Sequence, residues 1–374
     1  MKAVVHIGVS KAGSTTIQET TFAHRAALLR CGVLVPMQDG RFIRPVDLAD
    51  AVTGKRPTFR SEEVRSVIAD GIFRHRPRAL LLSSEYLYHQ RDAVQELEAF
   101  LAPWTDDINV VLYVREPVGR YLSLCQQSLK GQYRFIGPAI WRGKYRPIVE
   151  RWRQQYGDRL TVLPFQRSAF PEGLVNNFVA RFFPDIAEGL PDLDDRLANK
   201  SDPSEVTQLL ETYFKVLYPD APRERRADVN RLRRYLVQTA VEIGIGKKPR
   251  LRPEVRATLA HNHAEDIAWL AAEEGIVFDG FEPGAINGEA VPLAKIDRVT
   301  WSDIVDVDAG GVENLAIHAV RRAAVTIDEL ERSWTWRLTS PLRKLAALWR
   351  GFLNDAPSQK LAGGPTGDDT ESNS

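Results

Sequence analysis

Near the N-terminus the residues Gly8-Val9-Ser10-Lys11-Ala12-Gly13-Ser14-Thr15-Thr16 combine two glycines, one cation and three consecutive hydroxyls. That set is suited to gripping an oxyanion. Gly8 and Gly13 permit a tight turn and a close backbone approach. Ser14, Thr15 and Thr16 offer hydroxyl donors in what reads as the first turn of a helix, where backbone N–H groups and the helix dipole also favour an anion. Lys11 adds a positive charge over the bound group. A Walker A loop has glycine, four residues, glycine, then lysine and Ser/Thr. Gly8 and Gly13 keep that spacing, but Ser14 stands where the lysine belongs, and the lysine sits inside the loop at position 11.

A second cluster, Tyr113-Val114-Arg115-Glu116-Pro117-Val118-Gly119-Arg120-Tyr121-Leu122-Ser123, ends an apolar run and enters a helical pattern. Pro117 suits a first helical turn, where its missing N–H costs nothing. Arg115 at a strand end and Ser123 two turns into the helix can hold one phosphate from two sides, with arginine supplying a bidentate contact. A third run, Leu80-Leu81-Leu82, leads into Ser83-Ser84-Glu85 and places a carboxylate at the same sheet edge.

The elements that must position these groups follow from the apolar pattern. Strands are expected over 3–8, 79–83, 109–114 and 160–164, as the near-continuous apolar runs of a parallel sheet buried on both faces. Helices are expected over Ser14–Leu29, 61–75, 90–102, 117–130 and 147–157. Alternating strands and helices indicate an α/β fold, a P-loop-like parallel sheet flanked by helices, with a mainly helical C-terminal part over 203–218, 223–243 and 253–274. Residues 279–312, rich in Gly, Pro and Asp, read as loops or a linker. Further helices are expected at 312–333 and 340–353. The expected domains are 1–190 (an α/β catalytic core), 191–281 (its helical continuation), 282–353 (linker and terminal helices) and 354–374 (a polar, disordered tail).

The loop Lys11-Ala12-Gly13-Ser14-Thr15-Thr16 resembles the 5′-phosphosulfate loop of sulfotransferases that use PAPS (3′-phosphoadenosine-5′-phosphosulfate), commonly Pro-Lys-Thr-Gly-Thr-Thr. It departs at Ser10, where proline is customary, and at Ala12. Arg115, Pro117, Arg120 and Ser123 match the family's 3′-phosphate motif, and Ser-Ser-Glu at 83–85 is similar to a segment of bacterial members. The resemblance spans about residues 1–185, and more loosely 199–281, without the family's Gly- and Lys-rich cofactor loop. It implies a sulfotransferase with PAPS as donor and PAP as product. Lys11, Gly13, Ser14, Thr15 and Thr16 would hold the 5′-phosphosulfate, Arg115 and Ser123 the 3′-phosphate, and Arg120 would be structural or auxiliary. Such transfer needs charge stabilisation on the leaving oxygen and a base for the acceptor proton. Lys11 is assigned the first role and Glu85 the second, with His89 as the other candidate base. Two further readings stay open: a P-loop kinase or nucleotide-binding protein with a degenerate loop, and an inactive sulfotransferase-like scaffold.

The 374 residues carry 50 Lys+Arg against 49 Asp+Glu, so bulk charge does not point to nucleic acid. Cys31 and Cys125 lie in no metal-ligand spacing and read as free thiols of a reducing compartment. No metal is implied: His261 and His263, two apart on a helix, point away from each other, and His6 packs inside a strand. The six arginines of Arg223–Arg234 are interleaved with Glu224 and Asp228, as on a solvated helix face. The first apolar run is too short for a signal peptide, and no stretch is long enough to span a membrane, so a cytoplasmic location is expected. The segment Ser333–Lys344, with Trp334, Trp336 and Arg337, resembles a tail of surface-polysaccharide enzymes. With the apolar 345–353 it suggests peripheral contact at the inner membrane face through 334–353, and a carbohydrate acceptor.

Overall fold

The structure is a computed structural model that describes residues 1–55, 58–132, 134–187, 189–193, 201–218, 226–281 and 299–332. Among the described residues seven strands form: β1 (Lys2–His6), β2 (Val33–Leu34), β3 (Met37–Gln38), β4 (Arg41–Phe42), β5 (Ala79–Ser83), β6 (Ile108–Val114) and β7 (Leu160–Pro164). Five of them make one parallel sheet in the order β2-β5-β1-β6-β7, with Val4 opposite Leu81 on one side and Asn109 on the other. Every residue of β5, and every residue of β6 except Asn109, is buried. Coverage of both faces is what a parallel sheet of Val, Leu and Ile requires. Flanking helices supply it: Ser14–Ala23 contributes Ile17, Phe59–His75 contributes Val64 and Ile68, Ala93–Leu101 contributes Leu97 and Phe100, Arg146–Tyr156 contributes Val149 and Trp152, and Leu174–Phe182 contributes Phe178. The expected α/β class is the observed one.

Several local details differ from the sequence reading. The long first helix is two, Ser14–Ala23 and Arg25–Arg30, parted at His24. Thr21 Oγ1 donates to the Ile17 carbonyl at 2.6 Å, a back-bond that bends helices, and the Arg25 guanidinium donates to the Phe22 carbonyl at 3.0 Å and ends the first segment. The stretch after β2 carries the β3–β4 hairpin and a helix, Pro45–Thr53. Asp39 and Gly40 form its turn with φ of 51° and 70°, the backbone that an Asp-Gly pair favours in a two-residue hairpin loop.

Beside the sheet, helices Ser204–Leu217, Arg226–Glu242 and Pro253–Glu274 match the helical region expected there. A second core joins Val118, Tyr121 and Cys125 of helix Pro117–Ser128 to Leu251, Val255, Leu259 and Trp301. The expected 279–312 linker is corrected in part. Thr300 and Asp303 form a capping box that starts a helix, Trp301–Ile304, and Leu251 bridges to Val305. Trp301 is fully buried and donates its indole N–H to the Ser204 carbonyl at 3.1 Å, so the apolar ring overrides the local loop signal. The chain divides into two compact units, one from Met1 to Leu315 and one beginning at Ala316. The helix Ala309–Arg332 crosses that boundary. Segment 334–353, the 340–353 helix and the 354–374 tail lie outside the described residues. Cys31 and Cys125 are unpaired thiols. Among the described residues, no helix is long and apolar enough to cross a membrane.

Candidate functional site

Three neighbouring strands deliver the chemistry. β5, β1 and β6 are adjacent in the sheet, and the residues that follow their C-terminal ends are Glu85, the 7–13 loop and Arg115. A cleft of about 620 Å³ opens there, lined by Lys11, Gly13, Ser14, Thr15, Thr16, Glu85, Arg115 and Ser123 among others. These eight expected residues therefore share one cleft, whereas His89 and Arg120 do not line it.

The loop folds as it does because three of its residues take left-handed backbone: Gly8 at φ 49°, Lys11 at φ 73° and Gly13 at φ 83°. Gly13 is the N-cap of helix Ser14–Ala23, and no side chain caps that helix, which leaves its first turn open to an anion. A β-carbon on Gly13 would lie 2.5 Å from Leu174 Cδ2 and 2.6 Å from Phe165 Cε2. Gly13→Ala should therefore combine left-handed strain with overpacking and cost about 2–4 kcal/mol. A chemical-denaturation curve shifted to lower denaturant, with its slope unchanged, is the expected reading.

Lys11 is held at both ends. Its ammonium donates to Gln127 Oε1 at 2.8 Å, and its carbonyl accepts from Arg115 Nη1 at 3.0 Å. Burial, then Lys130 and Arg115, push its pKa down to about 8, against the opposing pull of Glu85. Arg115 is fixed by Tyr145, whose hydroxyl donates to the Arg115 carbonyl at 2.6 Å and lies 3.2 Å from its N–H, and by the ring of Phe165, 5.8 Å below the guanidinium. A β-carbon at Gly119 would sit 3.1 Å from Arg115 Nη2, so this glycine leaves room for the guanidinium. Glu116 caps the helix, accepting from the N–H groups of Val118 (2.8 Å) and Gly119 (2.5 Å), and Ser123 lies one turn beyond Gly119.

Arg120 points away from the cleft. It is buried, donates to the Gly143 carbonyl at 2.9 Å and lies 5.0–5.9 Å from the rings of Tyr145, Tyr88 and Trp141. His89 does not line the cleft; its ring lies 4.3 Å from that of Tyr88. His6 is buried, with its pKa pushed down to about 3 by desolvation, and it packs inside β1 as expected. His263 accepts from the Gly143 N–H at 2.9 Å and lies 2.7 Å from the Leu259 carbonyl, a neutral structural imidazole. His261 is exposed.

Among the site residues that escaped the sequence reading are Gln127 and Lys130 in the cleft lining and Gln18 behind Glu85. Gln127 lies four residues after Ser123 on the same helix, a spacing that was available in the sequence, and Lys130 lies in the turn just past that helix's end at Ser128. Lys130 lies 3.9 Å from Asp202, but Asp202 is already engaged by both arms of Arg233 at 2.5 and 2.6 Å. Lys130 thus keeps donors for the cleft. Lys11, Arg115 and Lys130 together face one carboxylate, Glu85, and this excess of positive charge favours a polyanionic ligand. Among the described residues, no His/Cys/Asp/Glu group is placed to hold a metal ion.

No model of a known family matches the chain, and no curated protein does. Among solved structures, the crystal structure of a sulfotransferase from Alicyclobacillus acidocaldarius is similar over 75% of this chain and 98% of that one, at 14% sequence identity and a TM-score of 0.40, a likeness too distant to assign an activity.

Proposed function

We propose that the chain is a sulfotransferase that moves a sulfuryl group from PAPS to a hydroxyl or amine of an acceptor, with a glycan or glycolipid as the acceptor class that the C-terminal segment suggests. One observation carries this reading. Three cations and an uncapped helix N-terminus converge on the cleft, with the lysine inside the loop at position 11 instead of after Gly13, and a carboxylate stands beside them.

When bound, the donor supplies an activated sulfuryl group on a 5′-phosphate, together with a 3′-phosphate. The hydroxyls and backbone N–H groups of Ser14, Thr15 and Thr16, with Gly13 allowing close approach, hold the 5′ end. Arg115 and Ser123 hold the 3′-phosphate. The Lys11 ammonium stabilises the charge that develops on the bridging oxygen as the S–O bond breaks. Glu85 takes the acceptor proton. Its Oε2 is engaged by Gln18 at 2.9 Å, which leaves Oε1 for that task. No divalent metal is needed for any of these roles.

The test is calorimetric titration with PAP, with ATP and Mg²⁺ as the comparison. PAP binding supports the donor assignment. ATP–Mg²⁺ binding without PAP binding would sink it and favour the kinase reading, and binding of neither would favour the scaffold. Glu85→Gln should lower turnover by about two to four orders of magnitude while PAP affinity and the unfolding curve stay as in the parent. The Lys11 pKa near 8 gives a further expectation. Below that pH the ammonium is charged and PAP binds fully. As pH rises through about 8 the free protein loses this charge and affinity falls. The bound anion favours the protonated form, so the midpoint in the complex lies somewhat higher. Titrations between pH 6.5 and 9.5, roughly bracketing that value, read the loss directly.

A further inference from the structure

Glu85 sits in the turn after β5, not on the strand, so the sheet alone does not fix its carboxylate. One side chain does. Gln18 lies four residues beyond Ser14 on the helix that opens the phosphate loop, and it is 8% exposed. Its Nε2 donates to Glu85 Oε2 at 2.9 Å and to Ser83 Oγ at 3.2 Å, so both amide hydrogens are in use and the amide is held in one rotation. Ser83 Oγ lies 2.8 Å from Nδ1 of the fully buried His6, which extends the chain into the core of the sheet.

We propose that Gln18 is a positioning residue that holds the Glu85 carboxylate, through Oε2, in line with the group bound by the phosphate loop. The inference rests on the reading of Glu85 as the base. Its chemistry suits the task. An arginine or lysine at position 18 would orient Glu85 as an ion pair and neutralise it, whereas a neutral amide orients the carboxylate and leaves its charge for a proton. The desolvated, uncharged His6 at the far end adds no competing charge. Its place in the fold matters equally. The helix Ser14–Ala23 carries the donor-binding hydroxyls at its first turn and Gln18 about 6 Å further along its axis. One rigid element therefore sets both the donor and the base. Gly8 completes the arrangement: a β-carbon there would lie 3.3 Å from Glu85 Cβ, so the loop and the base-bearing turn approach closely.

The experiment needs no acceptor beyond water. In acceptor-free release of sulfate from PAPS, the water oxygen bonds to sulfur, the bridging S–O bond breaks with its electron pair kept by the 5′-phosphate of PAP, and the water proton passes to Glu85. Sulfate release, PAP affinity and thermal unfolding are measured for Gln18→Met, Gln18→Glu, Glu85→Gln and the double variant Gln18→Met/Glu85→Gln. Methionine keeps the length of the side chain without its donors, and glutamate keeps its shape. The expected result is a loss of about ten- to a hundredfold for either Gln18 variant, with PAP affinity within about twofold of the parent. The double variant should be no slower than Glu85→Gln alone, because the two residues act as a unit. Multiplicative losses in the double variant, or a fall in PAP affinity that matches the fall in rate, would assign Gln18 to general support of the loop and overturn the inference. Parent-like rates in both Gln18 variants alongside a slow Glu85→Gln would overturn it and leave the base reading standing. An unimpaired Glu85→Gln would remove the base reading, and the inference with it.

Discussion

Lys11→Ala is expected to abolish measurable sulfuryl transfer, a loss of about two to three orders of magnitude or more, while the protein stays folded. The ammonium is the one cation inside the loop, and on the proposed reading it would act where charge develops as the bond to the leaving oxygen breaks. Its removal also relieves repulsion, since Lys130 and Arg115 both disfavour its charged form. The unfolding midpoint should therefore stay level or rise slightly. Arginine is not an equivalent replacement. Lys11 is a compact point charge that reaches Gln127 Oε1 from a left-handed backbone position, and the planar fork of arginine needs different geometry. The check is the rate of PAP formation from PAPS, read beside the thermal unfolding curve. A Lys11→Ala protein that formed PAP at the parent rate would remove the lysine from the mechanism.

Arg115→Ala should weaken PAP binding by about ten- to a hundredfold, the effect of losing a charge-assisted, bidentate contact. Two losses coincide. The guanidinium that would hold the 3′-phosphate is gone, and so is the hydrogen bond from Nη1 to the Lys11 carbonyl that braces the loop. Arg115→Lys should recover little, because an ammonium cannot serve a phosphate and the loop carbonyl together in the geometry of a fork. Calorimetry on the two variants reads both effects, and an unchanged dissociation constant in Arg115→Ala would remove the 3′-phosphate assignment.

How much of this was legible in the sequence depended on the range of the interactions. The strands were legible because Ala79–Ser83 and Ile108–Val114 are apolar enough to need burial on both faces, and a parallel sheet satisfies that need. The loop and Arg115 were legible because glycine, hydroxyl and arginine spacings are local. Gln18 was not. Nothing near it in sequence shows that its amide will meet Glu85, a partner 67 positions away. Lys130 reads as an ordinary helix-end cation until Asp202 is seen to be held by Arg233. Arg120 shows the converse: it belongs to a phosphate-like motif, yet the rings around it and the Gly143 carbonyl claim it for the core. Trp301 lies in a loop-like stretch, and its pocket against Ser204 and Glu211 acts with the Thr300 and Asp303 capping box to form the short helix there.

The strand order has a consequence for how the chain is made. β1 lies at the centre of the sheet, but its partners come late: Lys2 pairs with Ala79, and Ala3 with Ile108. At about 5–20 residues per second, a ribosome needs roughly 4–15 s to add the first of those partners. During that interval the two edges of Ala3-Val4-Val5, a segment fully buried once folded, have no strand to bond. Pairings this distant also fold slowly. Because Lys11, Glu85 and Arg115 meet only when β5, β1 and β6 have zipped together, a newly made molecule gains its cleft in the same step in which it loses that vulnerability.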